Sequence, residues 1–196
     1  MKAITSYFKK QNTDNNSLRE QKIDKFYEYR PREFLAIDYQ KLYDEIKNNL
    51  RENNSRKTCI LTSEEDMLKI RDIYNTLNIG VWTPIVKYIK EELEVIFNKK
   101  IDYGLVQYYE NGNSNISWHN DKEALNSYVF SVSFGTIRHF NIRDIDTKKT
   151  VDKFTLIHGD VFYMKDGFQK KYEHCIPVEK NVKNSRISIT FRVFEN

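Results

Sequence analysis

Residues 116–123 read Ile-Ser-Trp-His-Asn-Asp-Lys-Glu, where a predicted β-strand ends and a loop begins. On an extended chain His119 and Asp121 have the same parity, so both side chains should point to one face, the interior mouth of a barrel. Together with His174 on a neighbouring strand, they can form the two-histidine, one-carboxylate face that holds non-haem Fe(II) and leaves positions open for oxygen and a co-substrate. A surface hydrogen-bonded pair and a zinc site for hydrolysis are the alternatives.

The chain that follows Asn98 predicts a β-rich fold. From Ile101 to Asn196 it contains no good helix and is divided by Asn-Gly, Phe-Gly and Asp-Gly steps. The predicted strands there are Gly104–Tyr109, Ile116–Trp118, Tyr128–Phe134, Arg138–Ile142, Asp160–Met164, Tyr172–Pro177 and Arg186–Val193. Upstream, the pattern predicts amphipathic helices over residues 39–50 and 84–97 and a strand over residues 56–62. This order predicts an α+β fold, a double-stranded β-helix (jelly roll) with supporting N-terminal helices.

The last predicted strand presents two cations on one face. Arg186, Ser188, Thr190 and Arg192 share that face, so two guanidiniums point into a barrel that otherwise needs apolar filling. Because a buried unpaired charge is costly, we expect an anion beside them, and a small dicarboxylate could pair with both. The alternative is that both arginines pair with internal acids.

From about Arg56 to the C-terminus, the chain resembles the AlkB family of Fe(II)- and 2-oxoglutarate-dependent dioxygenases. The segments that carry the resemblance, besides His119, Asp121 and His174, are Arg56-Lys57-Thr58, Trp82-Thr83-Pro84, Gln-Tyr-Tyr-Glu-Asn-Gly at 107–112, Ser-Val-Ser-Phe-Gly at 131–135, Arg138 with Phe140, and Arg186 through Arg192. Two positions depart from the family pattern. Gln107 replaces the usual Asn, and Ser188 stands where several relatives carry Asn.

The resemblance implies a DNA repair enzyme that oxidatively demethylates N1-methyladenine and N3-methylcytosine, releasing formaldehyde and succinate. It implies that His119, Asp121 and His174 are the catalytic iron ligands. The residues that it assigns to 2-oxoglutarate are Gln107, Tyr109, Arg186, Ser188 and Arg192. The same chemistry on RNA or on a protein side chain is an alternative, as is a binding module without turnover.

Glu123, two residues beyond the carboxylate ligand, is expected to select the base. Methylated adenine and cytosine are cationic and carry an exocyclic amine, so a carboxylate can attract the cation and accept a hydrogen bond from the amine. The alternative is a solvated loop acid. Tyr74 is expected to stack on a flipped base and Arg138 to make a further substrate contact, while the parity of Trp118 favours the core. Residues 51–78 are the expected lid.

Residues 1–17 are predicted to be a flexible tail and residues 18–196 the dioxygenase domain. In the tail, Ile4, Tyr7 and Phe8 are spaced i, i+3 and i+4 and would share one face of a helical turn. This pattern resembles the PCNA-interacting peptide, with Met1 in place of its Gln, and implies a sliding-clamp partner. Packing of these side chains on the domain is the alternative.

Composition limits the remaining possibilities. The chain has 196 residues and a formal net charge of +4, which is weaker than the strongly basic signature of proteins that hold nucleic acid by charge alone. Two cysteines, Cys59 and Cys175, are too few to staple a domain of this size, so a reducing compartment is expected. We expect an intracellular monomer without membrane association, in the nucleus or at sites of DNA replication.

Overall fold

Two β-sheets face each other in the computed structural model, which describes residues 20–195. The strands, in chain order, are β1 (Lys22–Ile23), β2 (Tyr27–Arg30), β3 (Arg51–Asn53), β4 (Arg56–Thr62), β5 (Ile79–Val81), β6 (Tyr103–Tyr109), β7 (Ile116–His119), β8 (Val129–Gly135), β9 (Arg138–Asp144), β10 (Thr150–Leu156), β11 (Val161–Met164), β12 (Tyr172–Ile176) and β13 (Arg186–Arg192). The nine-stranded sheet has the order β1-β2-β11-β8-β13-β6-β4-β3, with β5 beside β4, and the four-stranded sheet has the order β10-β9-β12-β7. This arrangement is the predicted jelly roll.

The helices are α1 (Tyr39–Ile46), α2 (Met67–Ile73), α3 (Pro84–Phe97) and α4 (Phe168–Lys171), with a 3₁₀ turn at Lys122–Ala124. Helix α1 begins where the Asp38 side chain accepts a hydrogen bond from the backbone N–H of Lys41 at 3.0 Å. Helix α3 begins at Pro84, which needs no backbone donor there, and ends at Asn98 in the left-handed conformation. No helix within residues 20–195 is both long and apolar enough to cross a bilayer.

Strand β13 lies at the centre of the large sheet, between β8 and β6, and its two faces serve different purposes. Ile187, Ile189 and Phe191 belong to the apolar core that also contains buried residues of α1 and α3. The alternate residues, from Arg186 to Arg192, line the cavity between the sheets. Burying each large apolar side chain contributes about 1.5–3 kcal/mol, so the apolar face can hold the polar face in place.

The structure corrects several expectations on secondary structure. The chain after Ile101 does contain helix, namely α4 and the 3₁₀ turn, both beside the predicted metal ligands. Strand β10 was missed because it is an edge strand whose first residues are exposed, so it lacks a strong alternation of apolar and polar residues. Helix α2 and the short strands β1, β2, β3 and β5 were also not predicted. The three predicted tail contacts, Ile4, Tyr7 and Phe8, lie outside the described residues.

Candidate metal and cofactor site

Three predicted metal ligands converge at one end of the small sheet. His119 in β7 lies directly opposite His174 in β12, and Asp121 follows two residues after β7. One ligand atom from each of the three lies within 4.8 Å of the others. Nε2 of His119 is 3.9 Å from Oδ1 of Asp121, and Nε2 of His174 is 4.0 Å from Oδ2. Nitrogen and oxygen atoms at these separations can share one metal ion on one face.

The surroundings of both imidazoles suit metal binding. Nδ1 of His119 lies 2.8 Å from the carbonyl oxygen of Ser117, so this nitrogen carries the proton and Nε2 keeps its lone pair. Burial, followed by the nearby His119 ring, lowers the pKa of His174 to about 3. At neutral pH His174 therefore needs to lose no proton in order to bind a metal.

Asp121 is fully buried and is fixed from two sides. Burial alone would raise its pKa, but the guanidinium of Arg192, with Nη2 2.8 Å from Oδ1, acts together with His174 and His119 and holds the pKa of Asp121 below its usual value. On the other side, the backbone N–H of Asp121 donates to Oε1 of Gln169 at 2.9 Å. The side chain of Asn120 donates to the Gln169 carbonyl at 2.9 Å. Helix α4 thus positions the loop that carries the carboxylate.

A cavity of about 330 Å³, partly open to solvent, extends from these ligands between the sheets. It brings together all the metal and cofactor residues predicted from the sequence, namely Gln107, Tyr109, His119, Asp121, His174, Arg186, Ser188 and Arg192. Gln169, Ser133 and Arg56 also support the site but received no predicted role. Their only signal in the sequence is their position within, or next to, the motifs of the AlkB family.

Arg186 is a buried cation whose donors are only partly used. Its Nη2 donates to the hydroxyls of Ser133 at 2.8 Å and Ser188 at 3.1 Å, whereas Nε and Nη1 have no partner within the described chain. Burial lowers the pKa of Arg186 to about 10, so it stays charged at neutral pH. A buried guanidinium with two free donors fits the carboxylate of a small dicarboxylic acid.

Arg192, on the same face of β13, already has partners. Besides Asp121, its Nη1 donates to the Tyr74 hydroxyl at 3.0 Å and lies 3.6 Å from Oε1 of Glu123. Burial alone would lower the pKa of Arg192, but Asp121, Tyr74 and Glu123 together raise it above its usual value. The alternative from the sequence, pairing with internal acids, therefore describes Arg192 but not Arg186. Arg192 still lines the cavity, on the same side as Arg186.

Glu123 and Tyr74 meet beside the metal ligands. The hydroxyl of Tyr74 donates to Oε1 of Glu123 at 2.5 Å, and the Tyr74 ring packs edge-on against Tyr103. Glu123 belongs to the 3₁₀ turn that follows Asp121, and Tyr74 is the residue that ends α2. Both are half-buried. The segment expected to form a lid, residues 51–78, is corrected in part: residues 51–62 contain β3 and β4 of the large sheet, and the rest of the segment reaches the site through Tyr74.

Arg138 corrects a substrate assignment. Its side chain is completely buried, with Nε 2.7 Å from Oε2 of Glu179. Its remaining nitrogens donate to the carbonyls of Asn111, Ser114 and Pro177. Because this guanidinium is completely buried and donates four hydrogen bonds within the protein, it cannot reach a base, and Arg138 ties loops together instead.

Trp118 is likewise not part of the core clusters. It is half-buried, with the Arg143 guanidinium 4.4 Å from its ring, because β7 belongs to a small sheet that has only one packed face. The other two histidines have structural contacts. Nδ1 of His139 lies 2.5 Å from Oε1 of Glu179, and Nε2 of His158 lies 2.8 Å from the Ile37 carbonyl.

Comparisons with known proteins identify the family of this chain. The family model of the 2OG-Fe(II) oxygenase superfamily matches residues 11–192. Uncharacterized protein R406 of Acanthamoeba polyphaga mimivirus is 35% identical over 121 residues, covering 60% of this chain and 62% of that protein. The DNA oxidative demethylase ALKBH2 of Bos taurus is 29% identical over 127 residues, covering 60% of this chain and 46% of that protein. The chain thus spans less than two thirds of these relatives.

The fold also matches a solved structure. The structure of OsALKBH1 superposes with a TM-score of 0.63 at 15% identity, covering 88% of this chain and 99% of that one. The resemblance to the AlkB family and the predicted jelly roll are confirmed. The predicted cofactors, Fe(II) and 2-oxoglutarate, are those of the matched superfamily, and the three convergent ligands together with the free donors of Arg186 fit them. The chain belongs to the 2OG-Fe(II) oxygenase superfamily.

Proposed function

We propose that the protein is a DNA repair dioxygenase that removes methyl groups from N1-methyladenine and N3-methylcytosine. The observation that carries this proposal is the half-buried carboxylate of Glu123, fixed by Tyr74 and Arg192 two residues from Asp121. A carboxylate so placed can attract a cationic methylated base and accept a hydrogen bond from its exocyclic amine. The name of the bovine relative, DNA oxidative demethylase, supports DNA as the nucleic acid.

The chain's own residues have distinct tasks in this reaction. His119, Asp121 and His174 would hold the metal, and Arg186, steadied by Ser133 and Ser188, would anchor one carboxylate of 2-oxoglutarate. When bound, Fe(II) and 2-oxoglutarate supply the oxidation. Molecular oxygen is the oxidant: one of its atoms would enter succinate as 2-oxoglutarate loses CO₂, and the other would be inserted into a C–H bond of the N-methyl group. The N-hydroxymethyl product then splits into formaldehyde and the repaired base.

Access to a methylated base requires that the base leave the duplex stack. Tyr74 is the residue we propose to contact the extruded base, because it ends α2 within the proposed lid and holds Glu123 through its hydroxyl. The Tyr74 ring contacts Tyr103 edge-on and is only half-buried, so part of it is accessible to a base.

Mass spectrometry of modified substrates tests this function. Methylated DNA oligonucleotides, their RNA counterparts and methylated histone peptides are incubated with the protein, iron, 2-oxoglutarate and ascorbate. We expect loss of the methyl group from N1-methyladenine or N3-methylcytosine in DNA, and no loss with His119→Ala. Faster turnover of RNA or peptide would assign the site to the alternative substrate. Oxygen-dependent succinate production absent with every substrate would favour a binding module.

We also propose that the tail binds a PCNA-type sliding clamp, which would place the enzyme in the nucleus or at sites of replication. The support is the spacing of Ile4, Tyr7 and Phe8. A peptide of residues 1–12 is titrated with PCNA beside a standard clamp peptide. Saturable binding that is lost on Tyr7→Ala and Phe8→Ala is expected, and binding by the standard peptide alone would refute the proposal. Light scattering of the full chain measures its oligomeric state and tests whether it is the expected monomer.

A further inference from the structure

Three guanidiniums surround the buried ring of Tyr109, and one of them has no role so far. Arg138, Arg186 and Arg56 lie 5.6, 5.1 and 5.7 Å from the ring centroid, respectively. Arg138 is neutralised by Glu179, and Arg186 points its free donors at the cavity. Arg56 forms no ion pair with any acid of the described residues, although it is half-buried and its Nε is enclosed without a partner.

Arg56 instead contacts the side chain of Gln107. Strand β4 pairs with β6 so that Thr58 lies opposite Gln107, which brings Arg56 to the level of Tyr109. Nη1 of Arg56 donates to Oε1 of Gln107 at 2.6 Å, and the Tyr109 hydroxyl donates to the same oxygen at 3.2 Å. The amide oxygen therefore receives two hydrogen bonds from the wall of the cavity.

These contacts determine which end of the amide faces the ligand. A guanidinium can only donate, so the oxygen of Gln107, rather than its nitrogen, must face Arg56. The NH₂ end is left with two donors, for which no acceptor is found in the part of the chain that the structure describes. Gln107 in β6 lines the cavity beside Ser188, which lies directly opposite it in the adjacent strand β13.

We propose that Arg56 is a positioning residue that orients Gln107, so that the Gln107 amide nitrogen donates a hydrogen bond to bound 2-oxoglutarate. This role would also explain why Gln107 stands where the family pattern has Asn. An Asn, shorter by one methylene, could not keep its oxygen on Arg56 and its nitrogen at the same place in the cavity. The inference depends on the superfamily's use of 2-oxoglutarate and not on the methylated substrate, so the function test and this one can fail separately.

Binding of 2-oxoglutarate measures this role directly. The Mn(II)-loaded protein, kept free of oxygen, is titrated with 2-oxoglutarate by calorimetry. Arg56→Ala is expected to weaken binding about tenfold, equivalent to one lost hydrogen bond. In turnover assays the KM for 2-oxoglutarate should rise by a similar factor, with kcat at saturation unchanged. Lys57→Ala is the matched control, because it removes a cation from the next position of β4. Lys57 pairs with the exposed Glu52, so its loss should leave 2-oxoglutarate binding unaltered.

A double-mutant cycle separates positioning from plain charge attraction. If Arg56 acts through Gln107, adding Arg56→Ala to Gln107→Ala changes 2-oxoglutarate affinity no further. Losses that multiply would show that Arg56 attracts the dianion independently and would overturn the proposal. The proposal would also be overturned if Arg56→Ala bound 2-oxoglutarate as tightly as the wild type and only its melting temperature were lower. Arg56 would then have a purely structural role. If Arg56→Ala does not fold, Arg56→Met preserves the length of the side chain without its donors and takes its place.

Discussion

Arg186 and Arg192 lie at opposite ends of β13, share one face and are both buried, yet their surroundings differ. Arg192 is bonded to Asp121 at 2.8 Å, and its pKa is raised. Arg186 donates to two hydroxyls and packs on the Tyr109 ring, its Nε and Nη1 have no hydrogen-bond partner within the described chain, and burial lowers its pKa to about 10. The comparison teaches that one strand carries two kinds of cation. One stabilises the folded protein and its metal ligand, and the other is kept available for an anion.

The largest effect is expected from removing the carboxylate that distinguishes the two ends. Asp121→Ala should abolish metal binding and the turnover of 2-oxoglutarate, and should destabilise the protein by about 3 kcal/mol, because the buried Arg192 loses its hydrogen-bonded carboxylate and keeps only Glu123, 3.6 Å away. Metal content by mass spectrometry and urea denaturation measure the two effects. Asp146→Ala, at an exposed position, is the control. An unchanged free energy of unfolding in Asp121→Ala would show that Arg192 is not stabilised as described.

Replacing each arginine by Met should change stability in opposite directions. Arg192→Met leaves Asp121 buried without its cation and should cost about 3 kcal/mol in the metal-free protein. Arg186→Met removes a cation that lacks an acidic partner and should raise stability by about 1 kcal/mol. The same Arg186 variant should lose detectable 2-oxoglutarate binding. Urea denaturation of both variants without ligands provides the measurement. Equal destabilisation would contradict the claim that Arg192 stabilises the folded protein and Arg186 does not.

Acid should lower the stability of the protein through His174, which lies with Asp121 at the Arg192 end of β13. Its folded pKa of about 3 lies below the unfolded value of 6.5, so the unfolded chain binds more protons between these values and stability falls as pH falls. For metal-free protein we expect a loss of about 2 kcal/mol between pH 7 and pH 5 from this residue. His174→Gln should show a correspondingly shallower pH dependence in urea denaturation. The same slope in variant and wild type would contradict the assignment.

A smaller effect is expected at Gln169, which supports the carboxylate at the Arg192 end. Gln169→Ala removes the acceptor for the Asp121 backbone N–H and should weaken metal affinity about tenfold. The affinity for 2-oxoglutarate, which depends on Arg186, should change much less. Competition with a chelator of known affinity gives the metal constant, and Lys170→Ala on the same helix is the control. A larger loss of 2-oxoglutarate binding than of metal binding would contradict this division.

Much of the site was predictable because strand geometry has a short period. The shared parity of His119 and Asp121, and of Arg186, Ser188 and Arg192, needs only the alternation of side chains along an extended chain. The helices around the site were harder to predict. Helix α4 spans four residues, too few for a helical pattern, and yet its Gln169 holds Asp121. Strand β10 is defined mainly by its pairing with β9.

The sequence by itself determined which side chains share a face of β13 and, through its resemblance to the AlkB family, predicted a metal and an anion between the sheets. Only the tertiary structure decided which arginine is neutralised. Arg138 and Glu179 are 41 residues apart, and Arg192 and Asp121 are 71 apart. Partners so distant are chosen by strand order and loop packing, which no local pattern records. Because the charge of a buried arginine is balanced only by what surrounds it in space, its function follows from the fold and not from its residue type.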